Sequence, residues 1–250
     1  MRLVVVLSFG ILFFASAAHG QGEGPLPDFT VISLVGDSFT VAKKGDDVRR
    51  EGRRGLRVPL ADPVIDGAAL VAVKKALEAR DPALHVVLAL IREPAVYAAQ
   101  SQILGLTGDA QALVDALEPV FKRVHARKVL LVSKIRHETQ IQFADFTVDY
   151  PGMLEGLGFF LDPARHLMET ATQETEYGYV ALFAYFRLDV IDLATLRVVA
   201  EERVIAAPAL RDSHKGPWES MTAEQKVSVM KQIVAKQIDA AVPRLLDQMR

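Results

Sequence analysis

At 250 residues, half of them apolar, the chain is long and hydrophobic enough to bury a substantial core, which excludes disorder as its default state. Its 29 lysines and arginines nearly balance 31 aspartates and glutamates, a balance that argues against a dedicated nucleic-acid binder. Cysteine is absent, which excludes disulfides and thiolate zinc sites, and so is asparagine, which removes N-glycosylation.

The N-terminus opens with the positive pair Met1-Arg2, followed by an apolar run from Leu3 to Phe14 and small residues from Ala15 to Gly20. Positive start, short apolar middle and small-residue exit form the pattern of a cleavable signal peptide over residues 1–20, with cleavage sites after Ala17 or Gly20. The apolar run is shorter than the roughly 20 residues a spanning helix needs. With no cysteine behind it, a thioether-linked lipid anchor is excluded. No later stretch reaches about 18 uninterrupted apolar residues, so no transmembrane span is expected after cleavage. Removal of Arg2 takes the 29 basic side chains to 28 against 31 acidic, a net charge of −3.

Residues 21–28 are rich in Gly and Pro and read as a flexible leader. Phe29 to Val41 reads as a strand kinked at Gly36-Asp37, and 43–57 as a polar loop. Asp66 is placed to cap a helix with apolar positions at Leu70, Val73 and Leu77, ended by Pro82. His85 to Ile91 reads as a strand buried on both faces, Ala95 to Leu104 as a short helix, and Asp109 as the cap of a longer one that Pro119 kinks or ends. Lys128 to Ile135 is a second apolar strand, and the alternation of strands with helices predicts crossovers and parallel pairing. Gly156 to Asp162 reads as a further strand. Tyr179 to Ile191 reads as a long one, polar at Arg187 and Asp189, with a turn at 192–195 and an antiparallel return from Leu196 to Ile205. Thr222 and Gln225 form a capping box heading a C-terminal helix that Pro243 interrupts. No linker divides residues 21–250, so the expectation is one α/β domain with a mixed sheet, helices packed on it, a long antiparallel hairpin in the second half and a C-terminal helix.

Gly36-Asp37-Ser38, at the end of an apolar strand, resembles the nucleophile block of the SGNH (GDSL-like) hydrolases. The resemblance implies a serine esterase using Ser38, with Asp212 and His214 as the nearest stand-ins for the family's Asp-x-x-His. Asp212-Ser213-His214 is one residue too short for that motif, the asparagine that supplies the oxyanion donor is missing, and Phe39-Thr40-Val41 continues as strand where the family opens a helix. The alternative is a bulge or tight turn within a strand. His137-Glu138 begins like a zincin motif, but Ile141 stands where the second histidine belongs, and His166 with Glu169 is a weak pair. No metal and no cofactor are expected. Gly152, Gly156 and Gly158 do not match a dinucleotide fingerprint and mark bulges or close backbone approach. Lys43, Lys44, Arg49, Arg50, Arg53, Arg54 and Arg57 outweigh Asp46, Asp47 and Glu51, leaving a local excess of positive charge. The 43–57 loop is thus either a solvated segment or a dock for an anionic partner, such as lipid head groups or an acidic envelope protein.

The runs Val31 to Phe39, Leu154 to Asp162 and Phe183 to Leu193 resemble an uncharacterised group of exported proteobacterial proteins, which implies a Gram-negative periplasm as the address. The Asp189 to Val199 stretch also resembles the hairpin of periplasmic α/β modules of the Tol-translocation N-terminal domain, curli-pore and cell-wall-synthase-activator type. Leu196 stands at their turn glycine, and the lipid-anchor cysteine of the lipoprotein members is absent. Those modules bind and assemble without catalysing. The expected function is accordingly a non-enzymatic periplasmic binding or assembly module, with the Ser38 esterase as the alternative.

Overall fold

The computed structural model describes residues 12–13, 25–45, 55–106, 108–168, 175–210 and 221–249. Residues 1–20 of the expected signal peptide lie outside it except for Leu12–Phe13. The described chain is an α/β fold built on one mixed sheet. Its strands are β1 (Leu12–Phe13), β2 (Phe29–Ser33), β3 (Ser38–Lys43), β4 (Leu56–Pro59), β5 (Val86–Leu90), β6 (Lys128–Lys134), β7 (Arg136–Gln142), β8 (Thr147–Met168), β9 (Thr175–Asp192), β10 (Arg197–Ala206) and β11 (Ala209–Leu210). Its helices are α1 (Val64–Arg80), α2 (Pro94–Leu106), α3 (Ala110–Phe121) and α4 (Ala223–Asp247).

β2 lies between β5 and β6 and is parallel to both. From β2 the chain passes through β3 and β4 before α1 returns it to β5, and α2 and α3 carry it back across β2 to β6. β9 is antiparallel to β6 through its second half and to β8 through its first half. Its 184–192 stretch also pairs with β10, so β6 and β8 share the opposite edge. The sheet therefore forks where β6 ends. Ile135 fills the fork, its N–H donating to Tyr185 O at 3.1 Å and its carbonyl accepting from Gly156 N at 3.1 Å. β3 then joins β8 in parallel, and β4 closes that end.

Strand alternation sorts the side chains into three cores. On one face, Val31, Leu130, Val132, Leu188 and Val190 pack against α1 and α4. On the other, Ile32, Leu34, Leu131 and Ile191 pack against α2 and α3. Beyond the fork, the β7–β8 hairpin covers Phe160, Phe183 and Tyr185.

Several sequence expectations match this arrangement. Asp109 caps α3, accepting from Gln111 N at 3.0 Å, and α3 ends two residues past Pro119. Thr222 and Gln225 form the capping box of α4. The β9–β10 turn is held by Asp192 Oδ1, which accepts from Ala194 N and Thr195 N at 3.0 Å each. Leu196 takes the left-handed conformation there, at φ 54°, where a glycine would be unstrained.

Others are corrected. Phe29 to Val41 is two strands, and β6, β9 and β8 separate β2 from β3 in the sheet. β4 begins inside the 43–57 segment, at Leu56, and the strand read at Gly156 to Asp162 extends over the whole of β8. Pro243 sits inside α4, which runs on to Asp247. Arg187 and Asp189 do not make β9 polar at its surface. They are a buried ion pair with Nε 2.9 Å from Oδ2, and Arg187 also donates to Gly108 O at 2.9 Å.

The β3–β8 pairing depends on Gly158, because a Cβ there would lie 1.9 Å from the Thr40 carbonyl oxygen. Backbone meets backbone at that point, so no rotamer change relieves it. Gly158→Ala is expected to lose on the order of 3 kcal/mol in urea unfolding, and a loss below about 1 kcal/mol would show that the two strands can part.

Candidate functional site

The turn at 34–37 carries the chain from β2 over the carboxyl end of β6 to β3, and two buried charges hold it from below. The first is Asp66, in the first turn of α1. It does not cap that helix: the N-cap residue is Pro63, with no side-chain cap. Its Oδ1 instead accepts from Ser33 Oγ (2.6 Å), Val35 N (2.9 Å) and Gly36 N (3.0 Å), and its Oδ2 from Tyr97 Oη (2.9 Å). Free N–H groups at a strand end are costly to bury, and this carboxylate satisfies two of them at once. Gln100 closes the gap beside it, donating to Leu34 O and accepting from Lys134 N, each at 2.9 Å.

The second charge is Lys134, the last residue of β6, with only 3% of its side chain exposed. Its ammonium is paired with the Asp37 carboxylate and donates to Ser38 Oγ at 3.0 Å. Room for its stem exists because residue 156 is glycine: a Cβ there would lie 2.8 Å from Lys134 Cδ, and the backbone takes φ 69°. Burial lowers the ammonium's basicity, and the neighbouring Asp37 works against that loss. Arg57 of β4 reaches the same pair from the solvent side. Its Nε donates to Ser38 Oγ at 2.6 Å, its Nη1 to Ser101 Oγ at 3.3 Å, and its Nη2 pairs with Asp37.

Ser38, the nucleophile of the esterase reading, therefore opens β3 at 3% exposure, its oxygen accepting from two cations. His214 and Asp212 lie outside the described residues, as do Arg49, Arg50, Arg53 and Arg54 of the basic segment. Of that segment's described members, Lys44 pairs with Asp162 at 3.1 Å and Arg57 joins the Asp37 cluster. His137 lies on β7, where the helical spacing of a zincin cannot arise, and His166 lies on β8. Glu169 is outside the described residues. Sequence reading missed Lys134 and took Arg57 only as one charge of the basic 43–57 segment. The available signal for Lys134 was a charge near the end of the apolar run of β6.

Beside the cluster opens a cavity of about 570 Å³, between the turns that follow β2 and β5 and the starts of α1 and α2. Asp37, Arg57, Asp62 and Arg92 supply its charged wall, two carboxylates against two guanidinium groups, and Leu60, Ile91 and Tyr97 its apolar wall. Ser38 does not line it. Crevices outside the carboxyl ends of parallel strands are where open α/β sheets bind ligands.

No family model matches the chain, and no curated protein matches it. Among solved structures, a point variant of PelC from Paraburkholderia phytofirmans, a dodecamer, aligns at 12% identity and TM-score 0.27, covering 87% of this chain and 92% of the other. A second PelC dodecamer from the same organism aligns at 11% identity and TM-score 0.24, over 91% and 94%.

Two predictions follow from the buried charges. Asp37→Ala strands the Lys134 ammonium and is expected to cost on the order of 3–5 kcal/mol in urea unfolding, whereas Lys134→Met, which leaves Asp37 with Arg57, costs well under that. Equal costs would show that the pair is solvated.

Burial raises the Asp66 carboxyl from the usual 3.8 to about 6, against the pull of its hydrogen bonds. Burial likewise raises Asp189 to about 7, against the pull of Arg187. The native state thus holds both protons more tightly than the unfolded chain. The stability they lend is full below pH about 4 and is lost as pH rises through about 6 and about 7. Asp66→Asn keeps the shape and the Oδ1 acceptor. It should flatten the part of that decline centred near pH 5, read from urea midpoints across pH 4–8. A variant curve parallel to the wild type would assign the decline elsewhere.

Proposed function

We propose that the mature protein is a non-enzymatic binding or assembly module of the cell envelope, working in the periplasm. The observation that carries this reading is the state of Ser38. Its hydroxyl is buried, accepts hydrogen bonds from Lys134 and Arg57, donates to Asp37 Oδ1 at 3.2 Å, and does not line the neighbouring cavity. A serine nucleophile needs the opposite: an open approach for the substrate, a neutral base to take its proton and an oxyanion donor ahead of it. The two cations cannot take the proton, and the one acceptor it meets, the Asp37 carboxylate, is held by both of them. The N-terminal leader, and the resemblance to exported α/β assembly modules, support the address and the class. No helix among the described residues is long and apolar enough to cross a membrane.

The alternative, a divergent SGNH-type serine esterase using Ser38 with His214 and Asp212, keeps one foothold, the 3.0 Å contact between Ser38 Oγ and a lysine whose burial weakens its hold on its proton. Purified mature protein is expected to leave a fluorophosphonate serine probe and a panel of short-chain esters untouched, with wild type and Ser38→Ala behaving alike. Labelling or turnover that vanishes in Ser38→Ala would establish the esterase. Ser38→Ala is also expected to cost about 1–3 kcal/mol of stability through the unpaired donors it leaves behind.

A further inference from the structure

Resting on the reading as a binding protein, we propose that the cavity between the β2 and β5 turns binds a small zwitterion with an apolar body, of the chemistry of a free apolar amino acid or dipeptide. Its place in the fold is that of a ligand site. α1 packs on one face of the sheet and α2 on the other, and the cavity opens between their starts, outside the carboxyl ends of β2 and β5. Within its charged lining, Asp37 and Arg57 answer each other. Asp62 and Arg92 do not. Both are exposed, and neither side chain has a partner among the described residues, so they stand too far apart to pair with one another.

The surroundings hold no surplus for a ligand of one sign. Behind the wall Lys134 stands against Asp66 and Glu93, which makes three cations to four carboxylates in all. The starts of α1 and α2, about half a positive charge each, offset the fourth carboxylate. A ligand that fills the cavity strips water from Asp62 and Arg92 together. An anion would leave Asp62 unanswered, a cation Arg92, and an uncharged molecule both. A zwitterion replaces the water on each. Leu60, Pro63, Ile91 and Pro94 call for an apolar body, and Tyr97 adds its ring, because its hydroxyl is bonded inward to Asp66 and Ile91 O. About 570 Å³ falls within the range of ordinary small-ligand sites. The prolines and the Asp66 anchor hold this wall in shape before any ligand arrives, so little ordering entropy is spent on binding.

The site is tested by calorimetric titration of the mature protein with leucine and leucyl-leucine. Isocaproate, isoamylamine and isoamyl alcohol serve as counterparts that keep the apolar body and lack one or both charges. Saturable one-to-one binding of at least one zwitterion is expected, with every counterpart at least about tenfold weaker. Whichever zwitterion binds more tightly assigns the site to an amino acid or to a peptide, and either supports it. Arg92→Gln and Asp62→Asn should each weaken the zwitterion about tenfold without moving Tm, since both side chains are exposed. Ala98→Trp, placed on the exposed rim that α2 gives the cavity, should abolish binding with Tm unchanged. A counterpart that binds as tightly as the zwitterions would overturn the proposal. So would binding that survives Ala98→Trp or ignores both charge variants, or no heat with either zwitterion at millimolar concentration. Serine-probe labelling would instead sink the binding reading itself, so the two failures are distinguishable.

Discussion

A buried ammonium is stable only beside a counter-charge, and the middle of this molecule is arranged around one. Lys134 ends β6 where the sheet forks between β6 and β8. The chain leaving β2 must cross that fork to reach β3. Asp37 and Ser38 make the crossing and supply the lysine's partners, Gly156 clears space for its stem, and Arg57 seals the pair from solvent. Breaking the pair from the Asp37 side leaves the charge with nowhere to go, while the desolvation cost of burying it is already spent in the native fold.

Asp66 does the complementary work on the near side of the crossing. By accepting from Ser33, Val35 and Gly36 it fixes the direction in which the chain leaves β2. Its bond from Tyr97 ties the start of α2 to the same point. The cavity is a by-product of these anchors: two strand ends and two helix starts are held apart, with Arg57 across the gap. Rigidity there comes from polar contacts, and the apolar cores on either face support it. A buried carboxylate shared by four donors and the buried Lys134–Asp37 ion pair both hold the chain at this crossing.

Much of the architecture was legible because it rests on local patterns. Alternating apolar residues gave β9 and β10, the Thr222–Gln225 box gave the start of α4, and Asp109 gave the start of α3. What was not legible depends on partners distant in sequence. Gly36-Asp37-Ser38 looked like a nucleophile block because its neighbours in space, Arg57 and Lys134, lie 19 and 96 residues away from Ser38. Periodicity placed β2 and β3 as strands but could not show that three others separate them. Polar β7 was invisible because only Thr139 and Ile141 are buried along most of its length. Asp66 sits at a cap-like spacing, yet its carboxylate serves β2, a choice made by tertiary contacts that no helix rule encodes. Arg187 and Asp189 mislead for the same reason: charges inside a strand read as surface until each finds the other.

The account stands on the coupling between Asp37 and Lys134, and a double-mutant cycle of Asp37→Ala and Lys134→Met, followed by urea unfolding, measures it most directly. A coupling of about 2 kcal/mol or more is expected, with the double variant more stable than Asp37→Ala alone. Additive single losses would contradict the account, since the crossing would then hold without its buried charge pair.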